Sequence, residues 1–227
     1  MIMSSIRDNV RMITLLETQN VTDAQINTLI NQCLHDIEVY TDWRFLQDFD
    51  DLTVTASTQS YSVATLTSST FNRAIALVDD DRDKAVTFIS PSEFFHRYGR
   101  DTGNKSANAN SWTIFQGSIF LHPIPSTNDT ARYRFYYYKT ITELSADSNS
   151  PEFHQGFHWM IVEYCKWKLW EREEYFDEAL RSKGNYYEML DAMEKWYART
   201  TREDPWIYGD NKLLRLYRDP NLPLLDG

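Results

Sequence analysis

Cysteine, glycine and proline are scarce here: two, seven and seven among 227 residues. Two cysteines cannot make a disulfide-dense secreted scaffold. Cys33 and Cys165 both fall on apolar stripes of predicted helices and read as buried, reduced thiols. The glycines stand singly and form neither GxGxxG nor a phosphate loop, which removes the nucleotide-cradle classes. A nucleophile elbow and HExxH are missing as well. No apolar run approaches the roughly 18 residues that a membrane-spanning helix needs. The opening stretch MIMSSIRDNVRMITLL carries Arg7 and Arg11 inside its apolar run and is not read as a signal peptide. A soluble protein with no membrane partner is therefore expected. Positive charge is short too: 23 Lys and Arg face 33 Asp and Glu, for a formal charge of -10. That balance is wrong for a protein whose main task is gripping a phosphate backbone.

Aromatic rings, by contrast, are plentiful: 7 Trp, 14 Tyr and 12 Phe. Rings give large contact area at low entropic cost, so this enrichment fits surfaces buried between chains. The plainer reading is that they fill one intramolecular core. The interface reading is put slightly ahead, with Trp43, Phe45, Tyr136, Tyr138, Trp167 and Trp170 as candidate subunit-interface residues.

The hydrophobic period divides the chain. Residues 1–48 read as N-terminal helices, with Ile6, Val10, Ile13 and Leu16 on one stripe. Thr22 and Gln25 have the spacing of a capping box that launches a second stripe of Ile26, Leu29, Ile30, Cys33, Leu34 and Ile37. Residues 49–140 read as a β-rich module, rich in Thr, Ser and Val at first and then marked by alternating patterns. Phe115-Gln116-Gly117-Ser118-Ile119 predicts a tight hairpin. A short helix is expected over 93–98, capped by Ser92 or Ser90 and stopped by Gly99, and residues 101–111 are expected to be an exposed mobile loop. Residues 141–199 read as a C-terminal helical hairpin. Its first helix is expected to start at Ser150-Pro151-Glu152 and its second to carry a face of Phe176, Ala179, Tyr186, Leu190 and Met193, weakened by Gly184. Residues 200–227 lose periodicity and read as an extended arm too apolar to float free. The fold class expected is α+β: a helical-bundle body with an inserted antiparallel β-rich module and an extended C-terminal arm. Strands without helical crossovers between them argue against a parallel sheet.

Candidate chemistry is thin. His154 and His158 stand four apart on a predicted helix, a spacing that could seat two metal ligands, but no third ligand completes a signature. They read as surface or interface histidines. Asp79-Asp80-Asp81-Arg82-Asp83 is the densest acidic run; without the glycine and terminal glutamate of a calcium loop it reads as a solvated turn. Tyr133, Tyr136, Tyr137 and Tyr138 with Arg132 and Arg134 have the composition of a platform for stacked bases, yet three consecutive tyrosines cannot share one strand face. No catalytic residue, metal or cofactor is assigned, and the chain is expected not to be an enzyme. The alternatives kept open are a nucleic-acid-binding module and a small hydrolase with an acidic site.

The order of these elements, and several short signatures, resembles the bacteriophage head-to-tail adaptor proteins, also called connector or head-completion proteins. The signatures are Trp43-Arg44-Phe45-Leu46 after the helical pair, the strand pair at Leu52 and Tyr61-Ser62-Val63, and Ser90-Pro91-Ser92-Glu93-Phe94. Further on come Ile119-Phe120-Leu121-His122-Pro123-Ile124-Pro125 and Arg134-Phe135-Tyr136-Tyr137. The likeness spans about residues 1 to 199. It implies a homo-oligomeric ring, often of twelve subunits, in the virion neck, seated beneath the portal protein and above a tail or nozzle protein. Duplex DNA would pass through without specific binding. It also implies that subunits are made in the host cytoplasm, and that the arm docks on portal through Trp206, Tyr208, Leu213, Leu214, Leu216 and Tyr217.

Overall fold

A computed structural model describes residues 1–15, 21–68, 70–99 and 103–203. Helix α1 (Met3–Thr14) buries Met3, Ile6, Val10 and Thr14 along one stripe and closes at Leu15 in the left-handed region, φ 54°. Leu16, placed on that stripe from the sequence, lies outside the described residues. Helix α2 (Asp23–Tyr40) opens on the capping box: the Gln25 amide donates to the Thr22 hydroxyl at 3.3 Å, and the Thr22 amide donates to Gln25 Oε1 at 2.8 Å. Arg11 ties the two helices by donating to the Val21 carbonyl at 2.7 Å and to Asp23 at 2.5 Å.

Strand β1 (Gln47–Val54), β2 (Ser60–Ser62), the one-turn α3 (Val63–Leu66), β3 (Phe71–Asp79), β4 (Lys84–Ala85) and β5 (Thr87–Phe88) follow. Next come α4 (Pro91–Tyr98), β6 (Lys105–Ser106), β7 (Ser111–Phe115), β8 (Ser118–His122), β9 (Ile124–Pro125) and β10 (Asp129–Lys139). The chain ends its described part with α5 (Trp159–Arg172) and α6 (Phe176–Glu203). The architecture is α+β. Contacts group the described residues into two compact units, Met1–Leu46 with Ile141–Glu203, and Gln47–Thr140.

In the helical unit, α5 packs against α1, α2 and α6. Met160 through Cys165 are buried in unbroken succession, so α5 has no solvent stripe there. Its start departs from the expectation at Ser150. Residues after Pro151 form bends and a 3-10 turn (Gln155–Phe157), and regular helix begins at Trp159. Phe153 is drawn into the core, and the His154 ring takes over as cap by accepting the Gly156 amide at 3.2 Å. Gly184 makes no break: α6 runs through it, because an exposed glycine costs a long, well-packed helix only about 1 kcal/mol.

In the strand-rich unit one sheet has the order β1-β10-β3-β4, all antiparallel. A second has the order β2-β8-β7-β5. The module is antiparallel in the main, as expected, with two short parallel pairings added, β5 with β7 and β6 with β9. Helix α4, capped by Ser90 with Pro91 in its first turn, lies in the connection from β5 to β7 and supplies a small crossover. The β7–β8 hairpin turns at Gln116 and Gly117, φ 48° and 71°, both left-handed as a type I′ turn requires. Leu77, Trp112, Ile119, Leu121 and Phe135 are fully buried at the centre of this unit.

A methyl group at Gly184 would meet nothing within 4 Å. Gly184→Ala is therefore expected to stabilise the subunit by about 0.5–1 kcal/mol, measured as a raised urea midpoint with unchanged slope.

Candidate functional site

Reactive side chains are spent on structure wherever the sequence raised them. His154 caps a turn and its ring lies 4.7 Å from that of Trp196, while His158 is buried and its Nε2 meets the Phe153 carbonyl at 2.9 Å. The two therefore do not present a shared ligand face. Among the described residues no group of three or more His, Cys, Asp or Glu side chains is placed to hold a metal ion. Burial pushes the thiols of Cys33 and Cys165 well up, so neither is a ready thiolate.

The acidic run is the expected turn, with Asp81 and Asp83 exposed, but its first residue is corrected. Asp79 is 0% exposed rather than solvated. It ends β3 opposite Tyr133 on β10, and its carboxylate accepts from Arg82 Nε at 2.8 Å and Arg132 Nη2 at 3.2 Å. Both guanidinium groups reach onward into the stretch after Gly103. Arg82 donates to the Ala109 carbonyl at 3.0 Å, Arg132 donates to Asn108, and the Tyr133 hydroxyl accepts the Ala109 amide at 2.7 Å. That stretch was expected to be an exposed mobile loop, yet Ala109 is buried and its backbone is clamped. The donors on Arg82 and Arg132 need acceptors once Asp79 is taken out of water, and the Ala109 carbonyl with the Asn108 and Asn110 side chains supplies them.

What the molecule presents is aromatic and apolar surface. Of the six interface candidates, Trp43 is only 1% exposed; its indole N–H donates to the Ile37 carbonyl, and its ring packs on Phe45 and Tyr197. Phe45 is half-buried against Phe153 and Tyr197. Tyr138 lies beneath Arg73 and is buried, as is Trp167. Tyr136 and Trp170 are the two left half-open, beside the exposed Phe49 and Tyr175. Burial thus leaves little of Trp43, Tyr138 and Trp167 for a neighbour to cover. Surface rings that the sequence reading passed over include Phe88, Phe115 and Tyr187, and Phe176 is exposed although it was read as part of the inner face of α6. Trp206, Tyr208, Leu213, Leu214, Leu216 and Tyr217 lie outside the described residues.

A surface of this kind is read best beside relatives. A family model described as SU10 adaptor protein matches residues 1–220. The chain belongs to the SU10 adaptor protein family. It is accordingly a structural adaptor of the phage neck, a virion protein and not an enzyme. Among curated proteins none matches the chain. For an adaptor the rigidity of each unit matters more than proton chemistry, and the Asp79 cluster and the packed helices supply it.

Two measurements probe this rigidity. Asp79→Ala strands two guanidinium groups and is expected to cost about 3–5 kcal/mol in denaturant unfolding. Asp81→Ala, at a side chain 63% exposed, should cost under about 1 kcal/mol. The histidines titrate in opposite directions. Burial, followed by the nearby N-terminal amine, holds His158 below the usual 6.5, whereas a hydrogen bond to Glu143 holds His35 above it. The unfolded chain thus binds more protons than folded His158 just below pH 6.5, and its burial costs stability as pH falls there. The small contribution of His35 is present below 6.5 and is lost as pH rises through its folded value. NMR titration of the two imidazoles should show this order.

Proposed function

We propose that this adaptor assembles as a ring, of twelve copies, beneath the portal, joining it to a tail or nozzle protein and extending the DNA channel. The observation that carries the reading is the family match over nearly the whole chain. The helical unit is assigned to the body of the ring, and the strand-rich unit to contacts with neighbouring subunits. The segment 204–227 is assigned to portal docking, led by Trp206, Tyr208, Leu213, Leu214, Leu216 and Tyr217. Two features support this. The exposed rings on both units are of the kind that subunit contacts bury. The formal charge of -10 suits a channel through which a duplex slides without sticking, since phosphate contacts need cations. Subunits would be made in the host cytoplasm.

Mixing the purified chain with purified portal and imaging the product tests the assignment. A closed ring coaxial with portal is the expected outcome; a channel wall lined by Lys and Arg would count against the sliding surface. Removal of residues 204–227 should abolish attachment while leaving the thermal midpoint of the body unchanged, and unchanged attachment would free the arm of that role.

A further inference from the structure

Helix α6 has two seams of opposite fate. Ala179, Ser182, Tyr186, Leu190 and Met193 are buried on the side that meets α5. Phe176, Leu180, Lys183 and Tyr187 recur at spacings of four, three and four on another side, which is how a helix offers a continuous seam to a second partner. This second seam is open: Phe176 is 65%, Leu180 70% and Tyr187 46% exposed. Each large apolar side chain left in water forgoes about 1.5–3 kcal/mol of burial.

Two ammonium groups converge at its centre. Lys168 Nζ stands 3.8 Å from the ring centroid of Trp167, and Lys183 Nζ stands 4.9 Å from the same ring, with the Tyr187 ring 6.3 Å away. Among the described residues no carboxylate pairs with either lysine, in a chain where carboxylates are in excess. A matching surface must therefore bring apolar groups together with carboxylates. Duplex DNA is a poor fit, because its phosphate backbone offers no apolar surface to cover Phe176, Leu180 and Tyr187. A second molecule of this acidic chain fits both demands. Helices α1 and α2 pack on α5, as α6 does, yet α6 makes its main contact with α5 alone. A contact from the outer side of α6 to an unlike surface of the next copy is heterologous, the kind that closes rings.

We propose that the Phe176–Leu180–Lys183–Tyr187 seam is a contact with a second copy of this chain, with Lys168 and Lys183 receiving carboxylates of that neighbour. The proposal rests on the ring reading above and adds which surface makes the contact. To test it, the full chain with the photo-crosslinker p-benzoylphenylalanine at position 180 is assembled on portal, imaged, and then illuminated. Leu180 is exposed, so the substituted subunit should keep its thermal midpoint. A covalent link from position 180 to another copy of the chain is expected. A ring whose links run only to portal or tail protein, or that yields none, overturns this inference and leaves the ring standing. If no ring forms, both readings fall together. As a second arm, the Lys168→Glu, Lys183→Glu pair should raise the concentration needed for half-assembly by about tenfold or more, while the Lys168→Arg, Lys183→Arg pair assembles normally. Equal assembly by the glutamate pair, at an unchanged melting midpoint, would remove the lysines from the contact.

Discussion

Everything in the helical unit depends on burying α5 on all sides. A helix with Met160, Ile161, Val162, Glu163, Tyr164 and Cys165 all buried in a row cannot rest on a single partner. Its neighbours come from both directions along the chain, α1 and α2 from the beginning and α6 from the end. The intervening strands must then leave the helical unit at Leu46 and return at Ile141 as one excursion. Even the single buried acid of this helix is compensated: Glu163 accepts from Lys166 at 2.8 Å and from Asn185 on α6 at 3.3 Å. The return segment is held with equal economy. Asn31 on α2 accepts the Leu144 amide at 3.0 Å and donates to the Leu144 carbonyl at 3.2 Å, acting as a peptide would.

The strand-rich unit solves the opposite problem. Its strands are short, and a loop-rich module of this size has many backbone groups to satisfy. Asp79 organises them, by holding two arginines whose remaining donors reach the Ala109 carbonyl and the Asn108 side chain. A buried carboxylate with two guanidinium partners adds little net stability compared with an apolar core, but it fixes one arrangement and penalises others. For an adaptor this matters, because a surface that must match a neighbour is only as reproducible as the unit beneath it.

Much of this was readable from residues alone where the signal is local. The Thr22–Gln25 capping box, the Gln116–Gly117 turn and the end of α4 at Gly99 each follow from chemistry within four residues. The buried stripe of α2 follows from its period. The class of the protein came from another signal, the resemblance of short signatures such as Trp43-Arg44-Phe45-Leu46, and of their order, to the head-to-tail adaptors, with which the family match agrees.

Tertiary structure decided what depends on distant partners. Ser150-Pro151 has the chemistry of a helix start, but Phe153 gains more from the core than from the first turn of a helix, and regular structure waits until Trp159. Asp79 sits in a run that reads as solvated, and its burial is compensated by Arg82 nearby together with Arg132, fifty-three residues away, a partner that no local pattern shows. The same holds for the rings. Sequence determined that this chain carries an excess of aromatic side chains; packing alone decided that Trp43 is spent inside while Phe176 and Tyr187 face outward, because burial is a property of the neighbours and not of the residue.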